Sequence, residues 1–93
     1  MKLLYIAGKY RANTPEGIAE NVRHAQAFAR RIIQEVPGVF PVVPHIQGYA
    51  LGDARDCDDY WLGGTLEWAS RCDGIAMCVG ADRDWETRPA LLE

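Results

Sequence analysis

The chain is predicted to be an α/β protein, a Rossmann-like three-layer fold with a short parallel sheet, abbreviated at its C-terminal end. Three observations carry that prediction. Continuously apolar runs at residues 3–7, 39–43 and 75–79 have strand length and no polar alternation, as expected of strands covered on both faces. Between them, apolar residues recur every three or four positions, the spacing of a helix with one buried side. Strand, helix, strand, helix, strand is the order that right-handed crossovers build into a layered parallel sheet.

The first run, Leu3-Leu4-Tyr5-Ile6-Ala7, is apolar throughout and is therefore placed at the centre of the sheet. Gly8 ends it and lets the backbone turn sharply or approach a bound molecule closely. Ligands of open α/β sheets bind beyond the carboxyl ends of the strands, so residues 8–11 are the first place to look for a site. Thr14-Pro15-Glu16 is a helix start: a capping hydroxyl, a proline suited to the first helical position and an acid for the positive end of the dipole. Ile18, Val22, Ala25, Ala29, Ile32 and Ile33 form the apolar stripe of that helix, which ends at Val36-Pro37-Gly38. Pro41 places the second strand at an edge.

Residues 44–56, with His45, Gln47, Gly48, Tyr49, Gly52 and Asp53, are expected to form a long irregular loop on the same sheet edge as Gly8. Asp58 or Asp59 is expected to cap the second helix, with Trp61, Leu62, Leu66, Ala69 and Cys72 turned inward and Glu67, Ser70 and Arg71 turned out. After the third strand comes a second polar loop, residues 80–88, and Pro89-Ala90-Leu91-Leu92-Glu93 opens a third helix. Three strand ends thus converge on one edge.

The 93 residues make a single domain, 1–93, with 48% hydrophobic and 25% charged residues, ordinary values for a globular protein. A net charge of −3 offers no basic field to a nucleic-acid polymer, so a single small molecule is the expected partner. No segment approaches the roughly 20 apolar residues that span a bilayer, and no signal-peptide pattern precedes the first strand. A cytoplasmic protein with neither membrane nor cofactor is expected. Cys57, Cys72 and Cys78 lack metal-ligand spacing, so no metal site is expected, and reduced thiols fit better than a disulfide framework. Three strands and two helices leave apolar sheet uncovered, which predicts a homo-oligomer.

Several side chains suit chemistry at the convergent edge. His45 is placed to meet a base or sugar, or to make a local hydrogen bond. Lys9 and Arg11 suit a 5′-phosphate, or are solvated loop charges. Tyr10 and Trp85 offer rings for a base, whereas Trp61 and Trp68 read as core or subunit-contact residues. Asp73 precedes the third strand and reads as a turn residue at the opposite edge.

Taken together, Leu4-Tyr5-Ile6-Ala7-Gly8-Lys9-Tyr10-Arg11, Tyr60-Trp61-Leu62-Gly63-Gly64-Thr65-Leu66-Glu67, Arg71-Cys72-Asp73-Gly74 and Asp84-Trp85-Glu86-Thr87 resemble the nucleoside 2-deoxyribosyltransferase-like superfamily, in order along the whole chain. The resemblance implies a Rossmann-like fold and cleavage of the N-glycosidic bond of deoxynucleosides or their monophosphates, by transfer to another base or to water. It implies assembly as dimers or larger oligomers with sites near subunit contacts. It further implies substrate contacts at Tyr5, Gly8 and Tyr10, others near Trp85 and Thr87, and a glutamate nucleophile early in the closing helix, for which Glu93 is the candidate. Thr65 stands where the transferases carry an aspartate that assists proton transfer.

Overall fold

The structure, a computed structural model, describes residues 1–78. Strand β1 (Lys2–Gly8) leads into helix α1 (Pro15–Glu35), followed by β2 (Val39–Val42), α2 (Pro44–Leu51), a 3-10 turn at Gly52–Ala54, α3 (Asp58–Ser70) and β3 (Gly74–Cys78). The three strands pair in parallel in the order β2-β1-β3, so β1 is central and β2 lies at an edge of the described sheet. Leu4 stands opposite Pro41 and Gly74, and Gly8 opposite Cys78. Asp73 is the turn residue expected of it: its carboxylate accepts the Leu3 N–H (2.7 Å), and its own N–H donates to the Leu3 carbonyl (2.8 Å).

Helix α1 starts and stops on its local signals. The Thr14 hydroxyl accepts the Gly17 N–H at 3.0 Å, Pro15 occupies the first turn, and the Val36 N–H closes the helix on the Ile32 carbonyl. Gly38 follows with φ +77°, a conformation that favours glycine. The inward side of α1 is Val22, Ala25, Phe28, Ala29 and Ile32. Phe28 and Ile32 join Leu4, Ile6 and Ala76 in one core cluster, with Phe28 and Ile6 wholly inaccessible. Each such side chain contributes about 1.5–3 kcal/mol by burial. Ile33, expected on this stripe, is 64% exposed; Phe28 takes its place because it lies one turn before Ile32 on the side facing the strands.

Side chains on β1 alternate between two different environments. Leu4 and Ile6 are buried beneath α1, while Tyr5 and Ala7 on the opposite face are only half-buried, so the strand is dry on one side rather than on both. Helix α3 lies over that second face, where Thr65 stands beside Tyr5.

Residues 44–51, expected within an irregular loop, are helical. Pro44 begins α2 at a position that needs no N–H, and the helix runs against α1 with a weak apolar pattern, which is why its periodicity is hard to read. The N-cap of α3 is Cys57, not an aspartate; Asp58 and Asp59 occupy the first turn, where their charge still complements the helix dipole. The half-buried residues of α3 are Trp61, Thr65, Trp68 and Ala69, with Cys72 half-buried just past its end. Leu62 and Leu66, expected inward, are 58% and 61% exposed, because the helix is rotated so that Trp61 and Trp68 face the sheet. No helix of the described residues is long and apolar enough to cross a membrane.

Candidate functional site

At the carboxyl ends of the strands, β1 with the loop that follows it forms one wall of a hollow of about 1570 Å³; α2 and α3 form the others. This exceeds the roughly 300–1,000 Å³ of a ligand pocket, so the hollow is a broad trough. Strand order reverses beside β1, with β2 on one side and β3 on the other, and such a crevice is where open α/β sheets bind ligands.

Gly8 sets the geometry of the wall. A Cβ there would lie 3.2 Å from both the Cβ and the carbonyl oxygen of Cys78, which would have to give way, and at an ordinary contact distance of 3.6 Å from His45 Nε2. The Gly8 carbonyl lies 3.2 Å from His45 Nε2. That contact is a hydrogen bond only if Nε2 carries the proton, which leaves Nδ1 as an acceptor. Nδ1 is buried without a hydrogen-bond partner among the described residues. His45 sits in the first turn of α2 and is 5% exposed. Burial pushes its pKa below the ordinary 6.5, opposed by the hydrogen bonds to the backbone of Gly8 and Lys9. It is therefore a neutral, positioned imidazole rather than a loop cation.

Tyr10 meets His45 edge-on, with ring centroids 6.2 Å apart, and its ring lies 3.9 Å from where a Cβ on Gly48 would sit. Asn21 of α1 holds the loop backbone, its side-chain amide donating to the carbonyls of Tyr10 (3.0 Å) and Arg11 (3.3 Å). From the loop, Arg11 reaches across to an ion pair with Asp58 in the first turn of α3. Beside it the Arg55 guanidinium lies 4.5 Å from the centre of the Tyr60 ring, and the Trp61 indole donates to the Arg55 carbonyl at 2.8 Å.

Tyr5 rises from the floor of the trough. Burial raises its pKa above the ordinary 10.0, opposed in part by the neighbouring Thr65 side chain, so it is a neutral hydroxyl at physiological pH. The Thr65 hydroxyl lies 2.9 Å from the Trp61 carbonyl and 3.1 Å from that of Leu62, so its single proton remains with its own helix. Trp61 and Trp68, expected in a core or a subunit contact, are half-buried and line the trough.

Tyr5, Gly8, Tyr10, Arg11 and His45 therefore share one hollow. Lys9 lines a smaller hollow of about 630 Å³ with Asn21, His24 and Cys78, separated from the first by Gly8 and His45, which border both. Trp85, Thr87 and Glu93 lie outside the described residues. Sequence reading missed Asp58, Trp61 and Trp68 as parts of the site, and reached Thr65 of the Trp61-Thr65-Trp68 stripe only through the resemblance. The i, i+4, i+7 spacing of that stripe was the available signal, obscured by the neighbouring Leu62 and Leu66. No family model, curated protein or solved structure matches the chain.

Proposed function

We propose that the chain is a cytoplasmic member of the nucleoside 2-deoxyribosyltransferase-like superfamily, a hydrolase or transferase acting at the N-glycosidic bond of a nucleoside or nucleoside 5′-monophosphate. The observation that supports this reading is the meeting of Tyr5, Tyr10 and His45 with Trp61 and Trp68 around one trough at the strand ends. Aromatic rings suit a base, and the neutral Tyr5 hydroxyl and His45 imidazole suit hydrogen bonds to a sugar or base. Breaking the bond builds positive charge at the anomeric carbon, so the reaction requires a carboxylate on one face of the sugar. Glu93 is assigned that role, with Trp85 and Thr87 as substrate contacts.

Incubation with deoxynucleosides and their monophosphates, followed by chromatography for free base, tests the proposal. Base release by the native chain and none by Glu93→Gln is expected. No release from any substrate at high protein concentration rejects catalysis.

One observation favours a second reading, a nucleotide-binding or oligomeric protein that retains the fold without the chemistry. The Thr65 hydroxyl is held by its own helix and delivers no proton at neutral pH, although the resemblance puts an acid at this position. Calorimetric titration with nucleotides separates the two readings, because binding without turnover selects the second. Both readings include self-association, for which Leu62 and Leu66, one turn apart and exposed on α3, offer a surface. A monomeric mass by light scattering at micromolar concentration would contradict it.

A further inference from the structure

Charge along the trough is unevenly distributed. Its described lining carries two permanent cations, Arg11 and Arg55, against Asp53, Asp56, Asp58 and Glu67. Glu67 is already matched at 2.8 Å by Arg71, the C-cap of the same helix, and Arg55 is turned onto the Tyr60 ring. Arg11 is thus the cation best placed to receive an anion, but its guanidinium is engaged by Asp58 from the opposite wall. Lys9, the other cation of the loop, lines the smaller hollow instead.

A phosphate entering the trough would seek the donor fork that a carboxylate already holds, since guanidinium groups bind both anions through the same geometry. It would also approach three further carboxylates. An uncharged ligand incurs neither cost. Resting on the nucleoside reading of this trough, we propose that Asp58 is a specificity-determining residue: by occupying Arg11 it makes the site select unphosphorylated nucleosides over their 5′-monophosphates. Both side chains are about three-quarters exposed, so the pair is weak enough to be exchanged and its effect is a bias in selection.

The test uses the full chain, D58N, R11Q and the double variant at constant ionic strength. Calorimetry compares the four deoxynucleosides with their 5′-monophosphates, and NMR follows the Arg11 Nε–H resonance during titration with inorganic phosphate. The native chain is expected to bind a deoxynucleoside at least as tightly as its monophosphate and to show no saturable Arg11 shift with phosphate. In D58N the ratio of monophosphate to nucleoside affinity should rise about tenfold, through loss of both the competing pair and the like-charge repulsion. Adding R11Q should cancel the rise. A native preference for the monophosphate, or an unaltered ratio in D58N, overturns the proposal. If no nucleoside or nucleotide binds at all, the nucleoside reading fails separately, and inorganic phosphate still decides the role of Asp58. A saturable Arg11 shift confined to D58N upholds the guard; equal responses of the two proteins reject it.

Discussion

The two faces of the sheet use one strand for opposite purposes. Toward α1, Leu4 and Ile6 meet Phe28 and Ile32 in a dry cluster, whereas toward α3, Tyr5 and Ala7 look onto a trough edged by Trp61, Thr65 and Trp68. The first face is closed by side chains without polar atoms. The second brings polar groups together across its layers, Thr65 beside Tyr5 and Arg11 in an ion pair with Asp58. Alternation along β1 lets the two roles coexist within seven residues, because each step of the strand reverses the direction of the side chain. Stability can therefore be concentrated on one side while the other stays open to a ligand.

Truncating an aromatic on each side tests that division with the largest effect. Phe28→Ala should cost about 3–5 kcal/mol in denaturant unfolding, since it empties a wholly buried position. Trp68→Ala, on the half-buried stripe, should cost less than half as much; equal losses would mean that the trough is a second core.

The boundary between the two hollows is tested next by Gly8→Ala. The added methyl would press on Cys78 and approach His45, for an expected loss of about 1–3 kcal/mol. The His45 ring resonances should move with it. A neutral substitution with unmoved resonances would separate Gly8 from the positioning of His45.

Titration should reveal the smallest effects, of opposite sign at the two groups. His45 has a lowered pKa, so the folded state binds its proton less readily than the unfolded state; its contribution is present above pH 6.5 and is lost as pH falls through the folded value. Tyr5 has a raised pKa, so its contribution is present below pH 10.0 and is lost as pH rises through the folded value. Unfolding curves across pH, repeated with His45→Gln and Tyr5→Phe, should show each slope flattened by its own variant only.

Much of the layered fold was legible because its signals are local. Apolar runs of strand length marked β1 and β3, Pro41 marked an edge, and Thr14-Pro15-Glu16 marked the start of α1. Legibility failed where a segment's apolar residues did not declare one face. Weakly patterned α2 was hidden behind Gly48 and polar neighbours, and α3 offered two candidate stripes one residue apart. The convergence of Gly8 and His45 followed from both standing at strand ends, but the burial of His45 did not, since it depends on α2 folding over the edge.

From the amino acids alone came the layered architecture, the central place of β1 and the edge on which Gly8, Tyr10, Arg11 and His45 gather, because strand length, helix spacing and capping act over a few neighbouring residues. Tertiary structure decided which side of α3 faces the sheet, that His45 is a buried neutral imidazole, and that Arg11 meets Asp58. Those outcomes depend on desolvation and on charges 47 residues apart, which act only after the layers have come together.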